Sequence, residues 1–215
     1  MKDEQFLEFG RFVVGVKLDE IRDYLTVVDS GFARAFDEFD ARVAAEAEKL
    51  PEAFRESLYE DESVTAFNLT EHFPSFTWQT TFVALYSLLE HEMFAACRQM
   101  RHIQKHLIGP EDLKDKGIFA AQKYVEKVCR VAFPEKGRPW QEILHYNKVR
   151  NVLVHNQGEL KHTVEGLRQY VASRKNLSVD HNDELKLTRD FCLDVVSIMR
   201  QFFDELYQSL KKSVQ

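Results

Sequence analysis

Apolar residues recur along most of this chain at intervals of three and four, the spacing that lines one side of an α-helix. Phe6, Phe9, Phe12, Val13, Val16, Ile21 and Leu25 predict a first amphipathic helix. Asp29 and Ser30 are residue types that cap helix starts, so a second helix is predicted from there, carrying Phe32, Phe36, Phe39 and Val43. Pro51 opens a further helical piece. Pro74 precedes a long helix predicted over residues 76–107, with Phe82, Leu85, Leu89, Met93 and Ala96 at core spacing. Gly109 and Pro110 interrupt the chain before another helical stretch, Ile118 to Phe133. Residues 176–188, NLSVDHNDELKLT, alternate around a polar centre and predict a short β-hairpin near 176–188. A last helix is predicted over 189–210, with Phe191, Val195, Ile198, Phe202 and Leu206 facing inward. The fold class expected is all-α.

One helical stretch departs from the apolar pattern. In HYNKVRNVLVHNQG, residues 145–158, a fixed cation, an amide and an imidazole (Arg150, Asn151, His155) interrupt a segment otherwise fit for burial. At about 100° per residue, Trp140, Leu144, Asn147, Asn151 and His155 fall along one broad stripe, and Tyr146, Val149, Val152 and Leu153 cover other sides. The helix is therefore expected to be packed on most of its circumference. Asn151 and His155, at i and i+4, face the same way. Arg150 and His155 are separated by roughly 140° around the axis, which spacing alone does not close. Gly158 suits a left-handed helix cap, and the preceding carbonyls favour a protonated imidazole at His155.

The run RNVLVHNQG resembles the ribonuclease motif of the HEPN superfamily. YSLLEHEMFAAC at 86–97, KGIFAAQKYVEKV at 116–128 and WQEILHYNKVRN at 140–151 are similar to the core helices of such proteins. The resemblance covers roughly residues 74–210 and leaves the N-terminal third outside it. It implies a HEPN-like helical bundle over 74–215, with 1–73 as an added acidic helical segment packed on the core. It also implies a homodimer in which two motifs face one cleft, and metal-independent cleavage of RNA, although many members serve as inactive binding modules. The toxin partners of nucleotidyltransferase pairs in this superfamily carry a tyrosine two residues after the motif histidine. Here Gln157 stands at that position, so regulation by modifying that tyrosine is not expected.

The chemistry suits these residue types. RNA carries its own nucleophile in the 2′-hydroxyl, so cleavage needs a base, an acid and a cation for the phosphate. Histidine supplies the first two and arginine's planar fork the third. Arg150 and His155 are thus the expected catalytic pair, with Asn151 and Asn147 supporting. Glu90, beside the core stripe of the long helix, is the expected partner of Arg150. No cofactor and no metal is expected; His102 and His106 have zinc-compatible spacing, but no third ligand accompanies them. An arginine and a histidine on a packed helix also serve as internal hydrogen-bonding partners, so a noncatalytic module binding RNA, a nucleotide or a protein stays open.

Charge changes the picture through its distribution. The net charge is −6, yet residues 1–71 hold 18 acidic and 8 basic side chains while residues 136–175 hold 8 basic and 3 acidic. Lys148, Lys161 and Arg168 are the cations expected to guide an RNA backbone toward Arg150. The acidic segment is expected to face away from RNA or to mask the cleft. Three widely spaced cysteines, Cys97, Cys129 and Cys192, suit reduced thiols. The leading residues lack the pattern of a secretory signal and no window approaches a membrane span, so a cytoplasmic protein is expected. A toxin or defence effector would add an antitoxin or defence-complex partner to RNA and a second copy.

Overall fold

The computed structural model describes residues 3–160 and 166–215, and the fold is all-α with one short two-stranded sheet. Seven α-helices are described: α1 (Asp3–Glu48), α2 (Glu52–Phe67), α3 (Phe73–Gln104), α4 (Gly117–Lys123), α5 (Arg138–His155), α6 (Leu167–Ala172) and α7 (Arg189–Lys212). Strands β1 (Leu177–Val179) and β2 (Leu185–Leu187) pair antiparallel, with Leu177 opposite Leu187. α3 and α7 pack on each other, and each packs on both α1 and α5.

The first helix differs from expectation. α1 runs unbroken through Asp29 and Ser30, because the Ser30 hydroxyl donates to Thr26 O at 2.8 Å within the helix instead of capping a new one. Its inner half buries Leu7, Val14, Leu18 and Leu25 in the common core, so the N-terminal segment is built into the bundle. Lys17 adds a polar tie, its Nζ standing 2.6 Å from Oε1 of the buried Glu92 on α3. The outer half turns back through α2, which buries no residue of its own.

The boundary expected at 73/74 falls inside a continuous helical rod. α2 passes into α3 through a π-helical turn, Asn68–His72, closed by Phe73 N–H donating to Asn68 O. A proline cannot donate to the helix ladder, and its ring crowds the carbonyl four residues back. The widened turn just ahead of Pro74 relieves both problems, so the helical path continues without a break. α3 ends at Gln104, three residues before the expected end, where Lys105 adopts left-handed backbone. The stretch predicted as helix over 118–133 is shorter too. After α4 the chain makes a second π-helical turn, Tyr124–Val128, and Arg130 goes left-handed; Val131 and Phe133 then enter the core.

Toward the C-terminus the pattern is realised as expected. The hairpin docks on α3 through Gln79 Nε2, which donates to Leu185 O at 2.9 Å. Thr188 Oγ1 accepts from Phe191 N–H to cap α7, and Phe191, Val195, Ile198, Phe202 and Leu206 are all buried. The three cysteines are free and buried, and burial pushes the thiols of Cys129 and Cys192 up to about 12. Among the described residues no helix is long and apolar enough to cross a membrane.

Candidate functional site

α5 carries the motif, and the way it packs decides what the motif presents. Trp140, Ile143, Tyr146, Val149 and Val152 are buried, while Asn151, Val154 and His155 remain exposed. The helix expected to be packed on most sides is thus open along the motif edge, with α3, α6 and α7 covering the rest. Its C-terminal end follows expectation. Gly158 is left-handed at φ 89°, and its N–H donates back to Val152 O at 3.1 Å.

Arg150 lies half-buried at the edge of this open strip. Its guanidinium carbon stands 5.9 Å from the centre of the Tyr86 ring, a cation–π arrangement. Nη1 donates to Asn151 Oδ1 at 3.1 Å and lies 3.4 Å from His155 Nε2. With its guanidinium over Tyr86, Arg150 closes the angular gap that helical spacing leaves between the two motif residues. A guanidinium N–H can only donate, so its contact with Nε2 calls for a lone pair there. A hydrogen bond there forms only with the tautomer that carries its proton on Nδ1. Arg150 Nε is buried without a hydrogen-bond partner among the described residues, leaving one donor of the site unmet.

Tyr86 escaped the reading of the sequence, although it stands four residues before Glu90 on α3 and so faces the same side. Its hydroxyl donates to Asn147 Oδ1 at 2.9 Å, which fixes the amide of Asn147 with its N–H groups turned away from the tyrosine. Burial raises the pKa of this phenol, the Glu90 carboxylate adds to the rise and Arg150 opposes it, so the phenol stays a neutral donor. Glu90 itself is half-buried. Desolvation raises its pKa and Arg150 pulls it back down, yet no described hydrogen bond or ion pair joins the two side chains. Glu90 instead lies against Gly117, a left-handed position at φ 57° where an added Cβ would overlap Glu90 Oε1.

The cations expected to guide RNA are divided. Arg168 is held by Leu160 O at 2.7 Å and by an ion pair with Asp183, which ties α6 to the hairpin loop. Arg174 is likewise paired with the buried Glu142, which also accepts from Tyr170 OH at 2.9 Å. Lys148 lies beside Gly166 and near His145, about two turns from His155 along α5. His145 stacks on Tyr170 at 4.2 Å, and its pKa is lowered by burial first and by Lys148 second. Lys161 lies outside the described residues. Of the spaced histidines, His102 meets the edge of Phe6 while His106 Nε2 is 2.8 Å from Gln104 Oε1, so they turn to different partners.

The arrangement offers a cation, an amide and an imidazole on one solvent-facing edge, backed by a tyrosine and a carboxyl. It can bind an anion at the guanidinium while the imidazole moves a proton beside it. Searches against protein-family models, curated proteins and solved structures find no match to this chain.

Proposed function

We propose that this protein is a metal-independent endoribonuclease of HEPN type, acting in a toxin or defence setting, with Arg150 and His155 as its catalytic residues. The observation that supports it is the 3.4 Å approach of Arg150 Nη1 to His155 Nε2 on an exposed helix edge. In this reading the neutral imidazole takes the proton of a ribose 2′-hydroxyl as that oxygen attacks phosphorus. The bond to the 5′-oxygen breaks, giving a 2′,3′-cyclic phosphate and a free 5′-hydroxyl. A protonated His155 from a second copy donates to the leaving oxygen. Arg150 binds the phosphate oxygens, and the amides of Asn147 and Asn151 orient it. No step calls for a metal or a cofactor.

The test is incubation of the purified protein with mixed RNA in EDTA beside His155→Ala. The wild type is expected to cut, the variant to be slower by roughly 10² to 10⁴, the usual worth of a general acid or base. An RNA with a 2′-deoxy residue at the scissile position should resist both. Equal products from wild type and variant would overturn the proposal. A noncatalytic binding module is the second reading, and the engagement of Arg168 and Arg174 in internal pairs favours it. That reading expects an intact fold that binds RNA, a nucleotide or a protein partner, with no cleavage under any of these conditions.

A further inference from the structure

On the side of α3 away from α5, α1 and α3 leave an apolar groove. Its hollow measures about 450 Å³, with Ile21 and Leu85 at the bottom, Tyr24 and Phe76 as walls, and Thr80 and Ala84 along one edge. Phe76 is 66% exposed, Tyr24 51% and Val27, one turn further along α1, 70%. Adjoining exposed apolar side chains of this kind suit a surface that a partner covers. The Thr80 hydroxyl is satisfied within α3, donating to Phe76 O at 2.7 Å. With small side chains along the edge, a second helix can approach α3 closely.

Phe76 also lines a second, wider hollow of about 820 Å³ between the start of α3, the hairpin and the start of α7. That hollow is acidic. Asp29, Glu71, Asp180, Glu184 and Asp190 line it against two cations, Lys186 and Arg189. Both cations are already paired, Lys186 with Asp180 and Glu184, Arg189 with Asp29 and Asp190. Exposed Glu20 and Asp23 on α1 extend the negative rim alongside Tyr24. An RNA backbone would be repelled here, and a second copy meeting this face across a two-fold axis would set carboxylate against carboxylate.

We propose that this surface is a docking site for a basic amphipathic helix of a protein partner. The partner's apolar stripe lies along the groove over Tyr24 and Phe76, and its lysines or arginines reach the acidic hollow and the α1 rim. This is the helix-in-groove mode of recognition, with charge setting the choice of partner. The proposal goes beyond the ribonuclease reading and stands without it, since neither Arg150 nor His155 takes part.

The test uses the full chain and a fluorescein-labelled helical peptide of leucine and lysine, about five turns long, followed by fluorescence anisotropy at physiological salt. Saturable binding is expected, weakened at least about tenfold by Phe76→Ser, by Thr80→Glu and by Asp23→Lys, with Phe54→Ser on α2 as an unaffected control. A matched peptide with glutamate in place of lysine should bind at least about tenfold more weakly. Phe76 and Thr80 are exposed, so circular dichroism should find both variants folded. Absence of binding, equal binding of the two peptides, or wild-type affinity in both groove variants would overturn the proposal. So would displacement of the peptide by single-stranded RNA, or a dimer of the protein alone that Phe76→Ser returns to monomer.

Discussion

Replacing Lys17 by methionine should destabilise the whole bundle, although Lys17 is a lysine on the face of a long helix. Its Nζ stands 2.6 Å from Glu92 Oε1, and the Glu92 side chain is only 5% exposed. Methionine keeps the aliphatic stem but leaves the carboxylate buried with the weaker company of the exposed His91, whose Nε2 is 3.9 Å away. Stranding a fully buried charge costs about 3–5 kcal/mol. The Lys17 side chain is itself 38% exposed, so water can reach the vacated end and the expected loss is nearer about 2–3 kcal/mol. For a domain of this size, 1 kcal/mol moves Tm by roughly 2–4 °C, giving a fall of roughly 4–12 °C. Urea titrations followed by circular dichroism measure the loss directly. Adding Glu92→Gln to Lys17→Met removes the stranded charge and should restore stability to within about 1 kcal/mol of the wild type. The reasoning is refuted if Lys17→Met alone lies within about 0.5 kcal/mol of the wild type, the range of ordinary surface changes. Equal stability of the single and double variants would refute it too.

Two further outcomes concern the candidate site. Tyr86→Phe keeps the ring under Arg150 but removes the donor to Asn147 Oδ1, so stability should fall by about 1 kcal/mol and the cleavage proposed above should slow; an unchanged Tm would show that the hydroxyl does not hold Asn147. Glu90→Gln should raise Tm at pH 7.5, because burial lifts the Glu90 pKa above its unfolded value. The native state then holds this proton more tightly than the unfolded chain, a contribution present at low pH and lost as pH rises through the native pKa. The gain from Glu90→Gln should therefore vanish below about pH 4; a lower Tm at pH 7.5 would mean that attraction to Arg150 outweighs burial.

What the sequence made legible was whatever depends on local spacing. The stripe Phe191, Val195, Ile198, Phe202 and Leu206 marked α7, and the alternation at 176–188 marked the hairpin, because each buries one face against a neighbour. The break expected at Asp29 and Ser30 failed for a local reason as well. A serine can satisfy itself on the carbonyl four residues back, so Ser30 continues the helix instead of starting a new one. The π-helical turn ahead of Pro74 is not visible in a three-four repeat, since one extra residue per turn looks like noise in the pattern. At the site, the order Asn147, Asn151, His155 followed from helical geometry. The meeting of Arg150 with His155 did not, because it depends on Tyr86 from another helix serving as a support. Arg168 reads in the sequence as a free cation, and only the tertiary structure shows it tied to Asp183.

The pairing of α1 with α7 has a consequence for synthesis. Lys211 reaches Glu8 across 203 positions of sequence, and Leu7 shares one core with Leu206 and Leu210. At about 5–20 residues per second, a ribosome needs roughly 10–40 s to deliver the second of these helices after the first. Throughout that interval α1 can close upon α2 and α3, but the part of its apolar side that α7 covers stays open. A chain cut before α7 should therefore leave the core side of α1 partly uncovered and aggregate instead of giving a smaller folded protein.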